Sequence, residues 1–213
     1  ALTFAQKVVV MYDGRVVQMG TPEELFETPA HTFVGYFIGS PGMNLFDADV
    51  TGTEAKLGKV SVPLGAAYGP TSGRTQIGIR PDYVTISDQG HPVAVKRVED
   101  VGRHRILRAE FQGQALNAIL PEGMTLPADP RVAFAPGKIN VYANDWRVQP
   151  NSWVMGKSQS PKPWRMPMDR VTMAAPQAST WNMDSFRGFV CIRSNVAILA
   201  VFRRYTGDRY TAP

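Results

Sequence analysis

The stretch Lys7–Leu25, KVVVMYDGRVVQMGTPEEL, combines the local patterns of a hairpin and of a capped helix. An apolar, β-branched run leads into a dipeptide beginning at Asp13 that suits a tight turn, and residues 15–19 return as a second strand. Thr21 is a good N-cap, a proline follows it at the first helical position, and Glu24 completes a capping box. The stretch therefore predicts strand, turn, strand and helix in that order.

The following residues predict two short helices and then a domain boundary. Apolar residues continue at helical spacing through residues 25–38, interrupted by Thr28-Pro29. We interpret the aromatic residues here as core packing. His31, at the start of the second helix, has no second metal ligand four residues later, so we interpret it as a cap or surface residue. The breaker Ser40-Pro41-Gly42 ends the helix and marks the boundary.

From Met43 to Val148 the sequence changes to short strand-like runs divided by Gly, Pro and Asp. The runs recur about every ten residues, which is typical of an all-β barrel or sandwich. Ile106–Phe111 alternates between two faces, and Gln114–Leu120 returns after Gly113. These two runs predict a hairpin.

Residues 150–213 differ in composition from the rest of the chain. Residues 1–150 hold 14 Lys and Arg against 15 Asp and Glu, and residues 151–213 hold 9 against 3, so the formal charge of +5 belongs to the C-terminal segment. Its apolar run, Val196–Phe202, is too short for a membrane helix of about 20 residues. We expect no persistent structure after about residue 150 and interpret this segment as a disordered or aberrant tail. The single cysteine, Cys191, excludes an internal disulfide.

The first 44 residues resemble the end of the nucleotide-binding domain of ABC transporter ATPases of the sugar and polyol importer type. In that family a strand with VVM-DG is followed by GTPEEL, by a helix with FVA-FIGSP and then by MN. The residues that carry the resemblance are Val10, Met11, Asp13, Gly14, Gly20, Thr21, Pro22, Glu23, Glu24, Leu25, Pro29, Phe33, Val34, Phe37, Ile38, Gly39, Ser40, Pro41, Met43 and Asn44.

The strand-rich region resembles the TOBE module, the OB-like regulatory domain of the same ATPases. Ile77–Asp82, IGIRPD, matches the family's GIRPE motif with Asp in place of Glu, and Val98–Gly102 matches a second segment that ends in Gly. The resemblance implies that this domain joins two ATP-binding subunits and receives regulatory signals. The interface or regulatory residues that it implies are Arg80, Pro81, Asp82, Glu99 and Gly102.

Arg80 is the site candidate with the clearest chemistry of its own. An arginine before proline is held extended, and its planar fork can clamp a carboxylate such as Asp82 or one across an interface. The residues alone also fit a solvated arginine at a strand end, whereas the resemblance favours an interface or scaffold contact. The basic loop Gly102–Arg105 is balanced by neighbouring acidic residues, which favours a solvated turn.

The sequence lacks the motifs with which such ATPases bind and hydrolyse ATP. It contains no G-x-x-x-x-G-K-[ST] loop, no apolar strand ending in Asp-Glu, no family signature and no switch histidine, although Ala1, Leu2, Thr3 and Ala5 fit the residues that follow that histidine. A secretory leader is not expected, because no charged-then-apolar run opens the sequence. We therefore assign no catalytic, cofactor-binding or metal residues, and expect ATP and magnesium only in a parent protein. The missing sheet is expected to leave the edge of Val8–Val10 exposed.

The sequence predicts a mostly β chain in three parts. Residues 1–41 are expected to be the terminal α/β elements of a truncated P-loop ATPase domain, residues 42–149 an OB-like TOBE β-barrel, and residues 150–213 an unassigned tail.

The predicted function is that of a fragment of the ATP-binding subunit of an ABC importer, which couples ATP hydrolysis to uptake of a carbohydrate, polyol or glycerol-type solute. Its expected partners are a second ATP-binding subunit and membrane permeases, at the cytoplasmic face of the membrane. The alternative is a stand-alone OB-like module that binds a small anion or solute. Nucleic acid is not expected, because residues 43–148 offer neither net positive charge nor an aromatic cluster.

Overall fold

The computed structural model describes residues 5–13, 15–102, 104–151, 188–193 and 196–201, the last two ranges as backbone strands only. The described residues belong to one compact unit, and a second unit, Ser152–Arg187, lies outside the described ranges. No helix in these ranges has the length and hydropathy needed to cross a membrane.

The predicted hairpin and capped helix are confirmed. Strand β1 (Lys7–Tyr12) pairs antiparallel with β2 (Arg15–Gly20), and helix α1 (Pro22–Glu27) follows directly. The Thr21 hydroxyl accepts a hydrogen bond from the Glu24 amide at 3.2 Å, and the Glu24 carboxylate accepts one from the Thr21 amide at 2.8 Å. This capping box satisfies two amides that the first turn leaves without partners. The predicted second helix is α2, Thr32–Phe37.

The remainder of residues 43–149 is built from short strands and two 3-10 turns, Pro81–Tyr83 and Pro136–Lys138. The strands are β3 (Asn44–Asp47), β4 (Asp49–Leu57), β5 (Val60–Tyr68), β6 (Thr75–Ile79), β7 (Val84–Ser87), β8 (His91–Pro92), β9 (Ala94–Asp100), β10 (Arg105–Phe111), β11 (Gln114–Leu120), β12 (Arg131–Phe134), β13 (Asn140–Ala143) and β14 (Trp146–Arg147).

These strands form open sheets rather than a closed barrel. Within the described part of residues 43–149 the sheet orders are β11-β10-β9, β7-β12-β8, β14-β13-β6-β3 and β4-β5. The predicted hairpin is the β10–β11 pair, in register from Arg105 opposite Leu120 to Phe111 opposite Gln114. The mostly β class is thus confirmed, with sheets that do not close on themselves.

Two amide side chains join β3 to β11, which belong to different sheets. The Asn44 amide donates to the Asn117 carbonyl at 2.9 Å and accepts from the Asn117 backbone N–H at 2.8 Å. At the other end, the Gln114 amide accepts from the Asp47 N–H at 2.7 Å and donates to the Asp47 carbonyl at 3.2 Å. Each side chain therefore supplies the donor and acceptor that a neighbouring strand would otherwise supply.

The apolar core lies between these sheets. It contains Phe46 and Phe111, and the half-buried Phe134 packs against both, with the three ring centroids 5.4–6.0 Å apart. A smaller cluster under the helices contains Val8, Val10, Leu25, Val34 and Ile38. Phe26 and Phe33 pack against this cluster as the sequence predicts, whereas Tyr36 and Phe37 are exposed.

Met43 packs between helix α2 and strand β6. A Cβ added at Gly35 of α2 would lie 2.2 Å from the Met43 methyl group, and one added at Gly78 of β6 would lie 2.6 Å from it. Both glycines therefore make room for this one side chain.

Two strands of the C-terminal segment extend the N-terminal sheet. Strand β15 (Gly188–Arg193) pairs antiparallel with β16 (Val196–Val201), and β16 pairs parallel with β1 from Lys7 opposite Val196 to Tyr12 opposite Val201. Sequence analysis expected no persistent element after residue 150, whereas β15 and β16 are described there. The rest of that expectation falls on residues 152–187, 194–195 and 202–213, which lie outside the described ranges.

Candidate functional site

Arg80 stands at the end of β6, immediately before the 3-10 turn that begins with Pro81. Its backbone is extended, with φ −68° and ψ 144°, as the following proline requires. The side chain is 3% exposed and lies against the ends of α1 and α2.

The guanidinium of Arg80 binds backbone carbonyls of both helices. Nε donates to the Phe26 carbonyl at 2.9 Å, and one terminal nitrogen donates to the Leu25 carbonyl at 3.3 Å. The other terminal nitrogen donates to the Gly35 carbonyl at 2.6 Å and to the Ile38 carbonyl. The charge also lies over the Phe26 ring, 4.3 Å from its centroid.

This arrangement provides hydrogen-bond partners both for the carbonyls at the helix ends and for the N–H groups of the guanidinium. The last carbonyls of a helix have no partner within the helix, and a buried guanidinium needs acceptors for its N–H groups. Burial lowers the pKa of Arg80, while the tyrosines and carboxylates around it act in the opposite direction. Arginine titrates so far above neutral pH that the side chain stays charged. The helix ends, where carbonyl dipoles concentrate, accept that charge.

Two side chains of β13 continue the contact. The Asn140 amide donates to the Glu27 carbonyl at 3.1 Å, and the Tyr142 hydroxyl donates to the Pro29 carbonyl at 3.0 Å. Because β13 pairs with β6, these donors come from the strand beside Arg80. Burial raises the pKa of Tyr142, so the phenol remains a donor. We call this set the Arg80 junction: Arg80, Asn140 and Tyr142, with the carbonyls of Leu25, Phe26, Glu27, Pro29, Gly35 and Ile38.

A polar cluster lies at the outer side of the Arg80 junction. The Glu27 carboxylate accepts hydrogen bonds from the Tyr83 hydroxyl and, at 2.9 Å, from the Lys138 ammonium. Lys138 also lies over the Tyr83 ring, 4.6 Å from its centroid. Burial raises the pKa of Glu27, but the hydrogen bonds from Tyr83 and Lys138 outweigh this, and the net shift is downward. The cluster therefore ties the end of α1 to both 3-10 turns.

The start of α2 is fixed from the same β region. The Thr32 amide and hydroxyl donate to the backbone carbonyl and the carboxylate of Asp145, both at 2.9 Å. His31 caps the helix, since its Nδ1 accepts from the Phe33 amide at 3.0 Å, and its ring meets Trp146 edge-on at 4.8 Å. The interpretation of His31 as a cap is confirmed, and burial lowers its pKa.

The other candidate residues from the sequence lie in two places. Pro81 is buried beside Arg80, whereas Asp82 is exposed, and Arg80 binds carbonyls rather than the Asp82 carboxylate. Glu99 and Gly102 belong to β9 and the turn after it, in a different sheet. The Glu99 carboxylate contacts two arginines, Arg97 at 2.5 Å and Arg108 at 3.1 Å, and Gly102 adopts φ +86°.

Sequence reasoning missed Asn140 and Tyr142 as parts of the site. From Ile139 to Tyr142 the sequence resembles the closing strand of the family's domain only in its apolar spacing. The partners of both side chains are backbone carbonyls, which the side-chain sequence does not reveal. Each of the three donor side chains of the Arg80 junction binds at least one backbone carbonyl. Across the described residues, no cluster of three or more His, Cys, Asp or Glu side chains could hold a metal ion.

The chain is similar to ABC transporter ATP-binding proteins. It is 39% identical over 145 residues to the uncharacterized ABC transporter ATP-binding protein y4oS of Sinorhizobium fredii, a match that covers 65% of this chain and 38% of the relative. It is 38% identical over 123 residues to the sn-glycerol-3-phosphate import ATP-binding protein UgpC of Salmonella paratyphi A, covering 54% of this chain and 35% of the relative. The UgpC of a Jannaschia species is 34% identical over 149 residues, covering 68% and 42%.

The matched parts span only about two fifths of these relatives' own length. No family model matches the chain. The resemblance drawn from the sequence is confirmed, since the homologues are ABC transporter ATP-binding proteins.

Proposed function

We propose that this chain is part of the ATP-binding subunit of an ABC importer. In this proposal residues 1–41 end the nucleotide-binding domain and residues 42–149 form its regulatory TOBE domain. The observation that carries it is the similarity to ATP-binding proteins at 34–39% identity over more than half of the chain. ATP and magnesium would bind to parts of the subunit that carry the phosphate-binding motifs.

The Arg80 junction supports a mechanical role for the β domain. Movement of α1 and α2 during ATP-driven closure would pass to residues 42–149, because Arg80, Asn140 and Tyr142 hold both helices through their backbone. The β domain would then serve as the dimer and regulatory contact, with Arg80 and Pro81 as the internal joint. Asp82, Glu99 and Gly102 would face partners at the surface.

The proposed partners are a second ATP-binding subunit and the membrane permeases, at the cytoplasmic face of the membrane. The proposed cargo is a carbohydrate, a polyol or a glycerol-type solute. Two of the relatives are named for import of sn-glycerol 3-phosphate, which supports the last of these classes.

The first test is the reading frame upstream of the codon for Ala1. We expect it to continue without a stop codon through a switch histidine, an apolar strand ending in Asp-Glu and a G-x-x-x-x-G-K-[ST] loop. A stop codon directly before Ala1 would overturn the proposal and favour the stand-alone module.

A binding experiment on the 213-residue chain separates the same alternatives. Titration calorimetry with sn-glycerol 3-phosphate is expected to give no heat of binding. In the proposed importer the transported solute is bound by other subunits. Glycerol serves as the uncharged control. Stoichiometric binding of the phosphate compound alone would favour a stand-alone module for small anions.

A further inference from the structure

Strand β9 is an edge strand with an unusual degree of exposure. It pairs with β10 on one side, and no strand within the described residues pairs with its other side. All of its residues are exposed except Glu99, which is half-buried. An open edge of this kind presents unpaired N–H and C=O groups to any strand that can reach it.

The residues of this edge have a self-complementary order. From Val95 to Val101 the sequence is VKRVEDV: a valine at each end and at the centre, two cations before the central Val98 and two anions after it. The three valines are 37%, 39% and 49% exposed, high values for apolar side chains that share one short segment.

We propose that β9 pairs antiparallel with β9 of a second copy of this chain, with a two-fold axis at Val98. This register places Val98 against Val98, Arg97 against Glu99 and Lys96 against Asp100 of the other copy. Every position meets its complement, because a two-fold axis pairs each residue before the centre with one after it. The inference names a surface for the dimer contact and in that respect rests on the proposed function.

The charges select this geometry over the other possible pairing. A parallel pair in register would place Lys96 and Arg97 against the same residues of the other copy, and like charges directly opposite one another are destabilising. An edge lined by lysines alone would repel a second copy in either direction. The mixed order therefore admits the antiparallel register.

The existing ion pairs of β9 would cost little to replace with ion pairs between the two copies. Arg97 contacts Glu99 at 2.5 Å within its own strand, with the two side chains 70% and 28% exposed, and Lys96 contacts Glu110 at 3.1 Å, with 60% and 44% exposed. Ion pairs whose cations are this exposed contribute little to stability. The irregularity in the β9–β10 ladder falls at Lys96, so the regular part of the new ladder is Arg97–Glu99, and Lys96 and Asp100 lie opposite each other at its ends.

The test uses the full 213-residue chain in sedimentation equilibrium at low salt. The unsubstituted chain is expected to form a dimer. Lys96→Glu with Arg97→Glu gives an edge of uniform negative charge, and Glu99→Lys with Asp100→Lys gives one of uniform positive charge. Each double variant alone should weaken self-association by at least about tenfold, and an equimolar mixture should restore a dimer containing one copy of each.

Two controls keep the result interpretable. Lys56→Glu changes an exposed lysine of β4 and should leave self-association unchanged. Lys96→Glu and Asp100→Lys, used as single variants, form a second complementary pair that leaves the Glu99–Arg108 contact in place, in case a double variant does not fold.

A monomeric unsubstituted chain would overturn the inference. So would a dimer that the folded variants do not weaken, or variants that weaken it without recovery in the mixture. A dimer formed elsewhere would leave the proposed function standing, because the upstream reading frame does not depend on β9.

Discussion

A buried guanidinium requires acceptors, and Arg80 finds them in the backbone of two helix ends rather than in a carboxylate. The acceptors belong to residues 42 to 55 positions earlier in the chain. The residue therefore joins segments that are far apart in sequence, and its loss would leave buried carbonyls without donors. Lysine could not substitute fully, because its ammonium has three donors and lacks the planar fork.

Replacing Arg80 with alanine is expected to lower the free energy of unfolding by about 3 kcal/mol, since charged hydrogen bonds to buried acceptors are lost. Urea denaturation of the full chain measures this. The matched control is Arg74→Ala, whose side chain is 63% exposed and pairs with Asp47 at the surface, and which should change stability little. Equal effects of the two substitutions would contradict the structural role given to Arg80.

Among the elements, β3 and β11 depend on side chains for their association. Asn44 and Gln114 each place an amide against the backbone of the opposite strand, and this connects two sheets without a regular ladder. Asn44 is 2% exposed, so water cannot replace its bonds. The association of β3 with β11 therefore depends on Asn44 at one end of the contact and Gln114 at the other.

Asn44→Asp is expected to lower the free energy of unfolding by about 2–4 kcal/mol at neutral pH, because a carboxylate cannot donate to the Asn117 carbonyl and faces it instead. Denaturation curves measure this, and the loss should shrink as the pH falls and the new carboxyl is protonated. Asn144→Asp makes the same change at an exposed site, where the amide donates to the Ser72 carbonyl. Its effect should be smaller, and an equal effect would contradict the burial argument.

At the scale of the whole molecule, the N-terminal sheet combines the two ends of the chain. Strand β1 lies between β2, its neighbour in sequence, and β16, which comes from the C-terminal segment. The edge that sequence analysis expected to be exposed is therefore paired along Lys7–Tyr12. A paired edge is protected from addition of a foreign strand.

Ending the chain at residue 187 tests this arrangement. Amide hydrogen exchange in β1 is expected to become faster, because the hydrogen bonds to β16 are removed, while exchange in β6 and β13 should remain as it was. Mass spectrometry of the two chains side by side measures the difference. Unchanged protection of β1 would show that β16 does not hold this edge in solution.

Local features were open to prediction from the sequence. The capping box at Thr21, the break between the helices, the cap at His31 and the β10–β11 hairpin each depend on residues within a few positions of one another. The family resemblance was also present in the order of residues alone. Within the candidate site, the sequence motif was sufficient to select Arg80, but the sequence did not identify the carbonyls that Arg80 binds.

The sequence by itself determined the first hairpin, the two helices and the β10–β11 hairpin, because capping, turn formation and side-chain alternation act between near neighbours along the chain. Only the tertiary structure decided which elements meet. It brought Arg80 to carbonyls of two helices, Asn44 to a strand 73 residues away and β16 to β1. Every residue except proline carries the same backbone donor and acceptor, so the long-range pairing of these groups follows from packing and not from residue identity.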